Sequence, residues 1–206
     1  MPVAGMAEIV GPAVAKGRGV GAFNIIGIEH AEAVIAGAEA AGAPVVLAIS
    51  QNCVAYHGAV EPIARAALAL AGAAAVPVAV HLDHVTGEDL VRAAVAVGVG
   101  SVMFDASAAP YEQNVAATAE VTRWCHERGV WVEAEIGEIG GKNGVHDAAG
   151  MTKINVATQL NKAYTGAVRA CLTADPVLVD PRRYGAAARD AVAAEVTRLL
   201  GVLGAA

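Results

Sequence analysis

The sequence predicts an α/β fold of the (β/α) TIM-barrel type, with a parallel sheet incomplete at about six of the eight βα units of a closed barrel. Three observations predict it. Apolar, β-type runs begin near residues 20, 44, 76, 101 and 130, and helical stripes separate them. A repeat of about 25 to 30 residues is the cadence of βα units joined by right-handed crossovers. Second, the runs end abruptly in polar residues, at Asn24, Ser50, Asp83, Asp105 and Glu135. Chemistry in such folds sits at the carboxyl ends of strands. Third, no G-x-G-x-x-G follows the first run, which argues against a dinucleotide-binding doubly wound sheet.

The elements follow in order. Ala7 to Lys16 reads as a short helix, and Val20 to Asn24 as the first strand. Glu29 to Ala41 carries apolar residues at helical spacing, and Pro44 to Ser50 is a second buried strand. Pro62 to Gly72 is helical and alanine-rich. Val76 to Leu82 is the third strand, and Glu88 to Val97 a helix with Thr86 as its expected N-cap. Ser101 to Asp105 is the fourth strand. Tyr111 to Arg128 is a long helix closed by Gly129, which opens into a fifth strand, Val130 to Ile136.

Then the cadence breaks. Only fifteen residues separate Ile136 from the next strand, Thr152 to Val156, and five of them are glycine. A parallel crossover needs about a dozen residues and usually a helix, and no helical stripe is present. Helices over Gln159 to Leu172 and Ala186 to Leu203 complete the chain. A closed barrel of this type takes about 250 residues. We therefore expect one domain over 1–206 with an internal deletion near 145–150.

Composition narrows the function. Hydrophobic content is 56 % with only 4 % aromatic, so alanine and valine make the core and suit close helix-on-sheet packing. Ala66 to Leu82 is a long uncharged apolar stretch, and Gly72 and Pro77 interrupt it, so no membrane span is expected. No basic flank precedes an apolar core at the N-terminus, so no signal peptide is expected. A net charge of −6 argues against nucleic acid as a partner. Cys53, Cys125 and Cys171 are widely spaced and form no C-x-x-C pair, which points to reduced thiols in a soluble, cytoplasmic protein.

The polar strand ends carry the chemistry. His81 and Asp83 share one strand face, while Leu82 points the other way and His84 opens the loop. Asp83 suits a general acid or base, and one imidazole suits a metal, its second nitrogen held by a neighbour. Asp105, Glu133 and Glu135 add carboxylates, although Glu133 also suits a structural ion pair. Buried carboxylates are costly unless paired or metal-bound. Nitrogen with carboxylate oxygen favours zinc, with manganese or cobalt as other divalent choices. Asn24 and Ser50 are functional polar strand ends or turn and cap residues. Lys153 to Thr158 ends the last strand at a helix N-terminus, either an anion site or a simple cap by Thr158. The glycine loop 137–144 reads as a lid or as a plain connection, and His146 as an exposed loop residue.

Six stretches together carry a resemblance. They are Gly21-Ala22-Phe23-Asn24, Val46 to Ser50, His81-Leu82-Asp83-His84, Phe104 to Ser107, Glu133 to Gly137 with Gly140-Gly141, and Lys153 to Thr158. In this order they resemble the class II, metal-dependent fructose-bisphosphate/tagatose-bisphosphate aldolases. The resemblance implies reversible aldol cleavage of a phosphorylated ketose to dihydroxyacetone phosphate and an aldehyde, in a homo-oligomeric (β/α)₈ barrel. It implies Asp83 as proton donor, His84 as a ligand of a catalytic zinc, and Asp105 and Glu135 as a second metal position. Asn24 and Ser50 would meet the substrate near the scissile bond, and Asn155 and Thr158 the dihydroxyacetone phosphate half. This sequence departs from the pattern in lacking the segment with two further zinc histidines. Lys142-Asn143 replaces an acidic loop residue, and Ala157 stands where many members have aspartate.

Overall fold

The computed structural model describes residues 3–135 and 152–205. Its elements are α1 (Met6–Lys16), β1 (Val20–Asn24), α2 (Ile28–Ala41), β2 (Val45–Ser50), α3 (Gln51–His57), α4 (Val60–Ala73), β3 (Val78–Val85) and α5 (Glu88–Val97). They continue with β4 (Ser101–Phe104), α6 (Tyr111–His126), β5 (Trp131–Ala134), β6 (Lys153–Val156), α7 (Thr158–Ala174) and α8 (Pro181–Val202). The strands form one parallel sheet in the order β5-β4-β3-β2-β1-β6. It is a curled, open half-barrel: β6 closes against β1, and no pairing joins β5 to β6 among the described residues.

Strand alternation sorts the core into two layers. Leu47, Ile49, Val80, Leu82, Val102 and Phe104 face the helices and are buried with them. On the concave face Val20, Ala22, Val46 and Ala79 pack against Met6, Ile9 and Ala13 of α1. Helix α1 thus floors the half-barrel, and small side chains leave room for it. Above this apolar floor the same face turns polar. Register aligns Ala48 with His81 and His81 with Ser101, and one step higher Ser50 with Asp83.

Close approach of helices seals the outer layer. A side chain at Gly37 of α2 would place its Cβ 2.5 Å from the Ala193 carbonyl of α8. The backbones touch there, and the Thr197 hydroxyl donates to the Gly37 carbonyl at 3.0 Å. Arg189 meets Glu32 at 2.6 Å one turn away.

The expected elements recur, their ends mostly within two residues of expectation, with four larger differences. Helix α3 was not expected: Ser50 caps it, its hydroxyl accepting from the Cys53 amide at 3.2 Å. Thr86 does not cap α5, whose N-cap is Gly87. Its backbone N–H instead donates to the Gln51 side-chain carbonyl at 3.0 Å. Helix α8 starts at Pro181, five residues before the expected Ala186, with Asp180 accepting from the Arg182 amide. Proline suits the first helical position, so the polar turn after it belongs to the helix. Strand β3 runs on to Val85, through an irregularity between Leu82 and Val85. The expected lid 137–144, His146 and the deletion point near 145–150 lie outside the described residues.

Candidate active site at the open rim

A pocket of about 600 Å³ opens where β1, β2, β3 and β6 end. Asn24, Ser50, Asp83, His84 and Asn155 line it, together with Gln51, Asn161 and the backbone around Ala157. Five of the eight expected site residues therefore share one cavity. Asp105, Glu135 and Thr158 lie beside it and are not among its lining residues.

Asp83 is the centre of the site. It is 2 % exposed, and each carboxylate oxygen has its own amide donor. Asn24 Nδ2 donates to Oδ2 at 3.0 Å, and Asn155 Nδ2 donates to Oδ1 at 3.2 Å. Charge-assisted hydrogen bonds of this kind offset part of the cost of burying a carboxylate. The three side chains come from β1, β3 and β6, so the clasp exists only because β6 returns to pair with β1.

His84 sits at the irregularity within β3, with φ +51°. A non-glycine residue in that region is uncommon, and bulges of this type re-aim side chains at active rims. The imidazole is half-exposed, and its Nδ1 lies 3.0 Å from Asp105 Oδ2. Partial burial draws its pKa down, but the Asp105 hydrogen bond and the charges of Asp83, Asp105 and Glu135 outweigh this and hold it above the usual value. Asp105 behaves in the converse way. Desolvation pushes it up, yet hydrogen bonds from His84 and from the Ser107 hydroxyl and amide hold it below the usual carboxylate value. Asp105 thus orients His84 through Nδ1 and leaves Nε2 open, the arrangement of a carboxylate behind a metal-binding histidine. Glu135 is fixed differently: its backbone carbonyl accepts from Asn114 Nδ2 at 3.0 Å.

Thr158 is the first residue of α7 and is exposed. The N-cap is Ala157, with no side-chain cap bond, so capping by Thr158 does not describe this turn. The amide donors that open α7 lie at the pocket rim beside Ala157 and Asn161, where an anion is favoured.

Beneath the clasp lies a polar layer that strand spacing only partly revealed. His81 is fully buried, with Nδ1 2.7 Å from Ser101 Oγ. Glu133 meets Lys153 Nζ at 2.8 Å, the ion pair anticipated as one role for Glu133. Lys153 also donates to Asn155 Oδ1 at 2.7 Å and so orients the amide that holds Asp83. Lys153 was missed as part of the site, although its place two residues before Asn155 puts both on the concave face. The Gln51–Thr86 clasp was also missed, because it joins the start of the unexpected helix α3 to the loop after β3.

Among the described residues no three His, Cys, Asp or Glu side chains stand close enough to hold a metal ion. Among the described residues His84 is the one imidazole lining the pocket. The donor set in view therefore does not by itself fit a catalytic zinc centre, which takes three protein ligands. The three cysteines are free thiols, and no described helix is long and apolar enough to cross a membrane.

Known proteins share this fold. The chain is similar in fold to the YdjI aldolase from Escherichia coli K12, with TM-score 0.87 and 24 % identity, over 98 % of each chain. It is similar also to the fructose-bisphosphate aldolase of Campylobacter jejuni, with TM-score 0.85 and 15 % identity, covering 99 % of this chain and 96 % of that one. In sequence it is 40 % identical over 144 residues to a probable fructose-bisphosphate aldolase of Bacillus subtilis (strain 168), covering 69 % of this chain and 50 % of that relative. The matched stretch thus spans about half the length of that curated relative, and the same holds for the aldolases of several Staphylococcus aureus strains. The fructose-bisphosphate aldolase of Geobacillus stearothermophilus is 29 % identical over 272 positions, covering 95 % of each protein, more positions than this chain has residues. The model for "Fructose-bisphosphate aldolase class-II" matches in two stretches, 4–149 and 145–206, that meet where the strand cadence breaks. With nearly the whole chain matched, and with this sheet and rim, the chain belongs to the class II fructose-bisphosphate aldolase family.

Proposed function

We propose that this chain carries the proton-transfer and ketose-phosphate half of a class II aldolase site. One observation supports it above the others. Asp83 is a buried carboxylate gripped by Asn24 and Asn155 at the floor of a rim pocket. In the cleavage direction Asp83 would take the proton of the hydroxyl that becomes the aldehyde, and in condensation return it. Asn24 and Ser50 would border the scissile bond. Asn155, Thr158 and the first turn of α7 would take the dihydroxyacetone phosphate half, where backbone N–H groups favour a phosphate. His84, oriented by Asp105, would be a zinc ligand, with Glu135 near a second metal position. By the same reading the protein is a cytoplasmic homo-oligomer, and its single domain carries an internal deletion near 145–150.

Carbon–carbon cleavage leaves an electron pair that needs an electrophilic sink. The described donor set does not complete one. Binding without efficient turnover is therefore the reading we favour for this chain, a phosphosugar-binding member of the family.

Calorimetry with dihydroxyacetone phosphate tests the reading. Binding should be measurable and should weaken about tenfold, ~1.4 kcal/mol, in Asn155→Ala. No binding would refute the pocket assignment. Cleavage of fructose 1,6-bisphosphate should be negligible in a coupled assay. Zinc-dependent turnover abolished by Asp83→Ala would instead establish a working lyase.

A further inference from the structure

Among the described residues one buried polar side-chain atom has no hydrogen-bond partner, and it points into the site. His81 Nε2 is enclosed on the concave face, 3.9 Å from Asp83 Oδ1 and 3.7 Å from Glu133 Oε2. Neither distance makes a hydrogen bond. A buried donor left unmade costs about 1–3 kcal/mol, so an atom of this kind calls for an explanation.

The tautomer follows from the surroundings. Burial, then the positive charges of Lys153 and His84, hold His81 well below its usual pKa, so the ring is neutral. One nitrogen carries the proton. If it were Nδ1, Nε2 would turn a bare lone pair toward two carboxylates. With the proton on Nε2, the Ser101 hydroxyl donates to Nδ1 at 2.7 Å, and the N–H faces both acids. The second arrangement is electrostatically favoured.

The two carboxylates are not equal partners for that N–H. Glu133 already holds Lys153 at 2.8 Å, a full opposite charge. Asp83 has only neutral amides, and its Oδ1 depends on Asn155 at 3.2 Å, the longer of the two. Asn155 lines the pocket, so it is the donor that a ligand would recruit. When it turns away, Oδ1 is left buried without a donor, and the nearest unengaged one is His81.

We propose that His81 is a positioning residue for Asp83: a reserve Nε2–H donor that takes over Asp83 Oδ1 when Asn155 is drawn to substrate. A shift of under 1 Å would bring the pair into hydrogen-bond range. The handover keeps the carboxylate fixed and solvated by protein dipoles while its partner changes. This inference rests on the proposed role of Asn155 toward substrate, but its structural core does not need a ligand.

Imidazole-¹⁵N-labelled full-length chain tests it by NMR. The spectrum should show His81 as the Nε2–H tautomer. In Asn155→Ala, whose side chain is exposed at the rim, the His81 Nε2–H proton should move downfield as the new hydrogen bond forms. In Glu133→Gln it should stay within a fraction of that shift. An Nδ1–H tautomer, no response to Asn155→Ala, or a larger response to Glu133→Gln would each overturn the proposal. A residue that merely fills the core beside Ser101 would show no such selectivity. Dihydroxyacetone phosphate added to the unmodified chain should reproduce the downfield shift. A shift in Asn155→Ala but none with this ligand would support the reserve donor and refute the ketose-phosphate reading, so the two failures are distinguishable.

Discussion

At the scale of single residues, two buried or half-buried histidines act on stability in opposite directions. His81 is kept neutral in the fold, while the unfolded chain protonates it near pH 6.5. Acidification through that value therefore favours the unfolded state. His30, also lowered by burial against the opposing charge of Glu29, adds to this. His84 has a raised pKa, so its contribution is full below the unfolded value and is lost as pH rises through the folded one. It is half-exposed and screened, so His81 dominates. We expect the urea midpoint to fall as pH drops from 7 toward 5, and His81→Leu to flatten that slope. A midpoint that rises on acidification would contradict this. Asp105→Asn should lower the NMR titration midpoint of His84, because its hydrogen-bonded anion is removed. The sequence marked Asp83, Asn24 and Asn155 as polar strand ends of one reactive rim. It did not announce that the asparagines grip Asp83, nor that Asp105 turns to His84 Nδ1. Those choices depend on distances across the sheet, to which residue type and spacing are blind.

At the scale of elements, strands were placed to within two or three residues, because buried parallel strands are continuous apolar runs with sharp polar ends. Helices were read less well where packing, not pattern, sets them. Helix α3 is a single short segment launched by the Ser50 cap, too brief to show a stripe. The start of α8 carries Arg182, Arg183 and Gly185, which hide its helical character until Asp180 and Pro181 are seen as cap and first residue. The α2–α8 contact offers the sharpest test at this scale. Gly37→Val would drive side-chain atoms into the backbone of α8. We expect it to destabilise the chain by about 1–3 kcal/mol in urea unfolding, as overpacking does. An unchanged midpoint would mean that the helices separate freely.

The whole molecule is a curled half-barrel floored by α1; among the described residues no strand pairing joins β5 to β6, and the Glu133–Lys153 ion pair spans that gap. The shortfall in strands was legible from the broken cadence after Ile136. The strand order was not, because nothing local shows that Lys153–Val156 will lie beside Val20–Asn24. With no three-ligand cluster among the described residues, metal should matter little to stability. Excess chelator should leave the thermal midpoint by circular dichroism within about a degree, and calorimetry should find zinc bound far more weakly than a complete three-ligand centre would hold it. A large fall in the midpoint on chelation would reveal a structural ion. The β1–β6 pairing has a kinetic consequence as well. It joins the first described strand to the last, so most of the chain must be in place before its loop-closure entropy is recovered. Val156→Ala should therefore speed unfolding severalfold and leave the refolding rate nearly unchanged in stopped-flow chevrons; equal slowing of refolding would place β6 in the nucleus. On the ribosome the order is stricter still. The edge of β1 emerges early and waits bare until β6 follows, so a stalled or prematurely released chain would present a ready template for pairing with its neighbours.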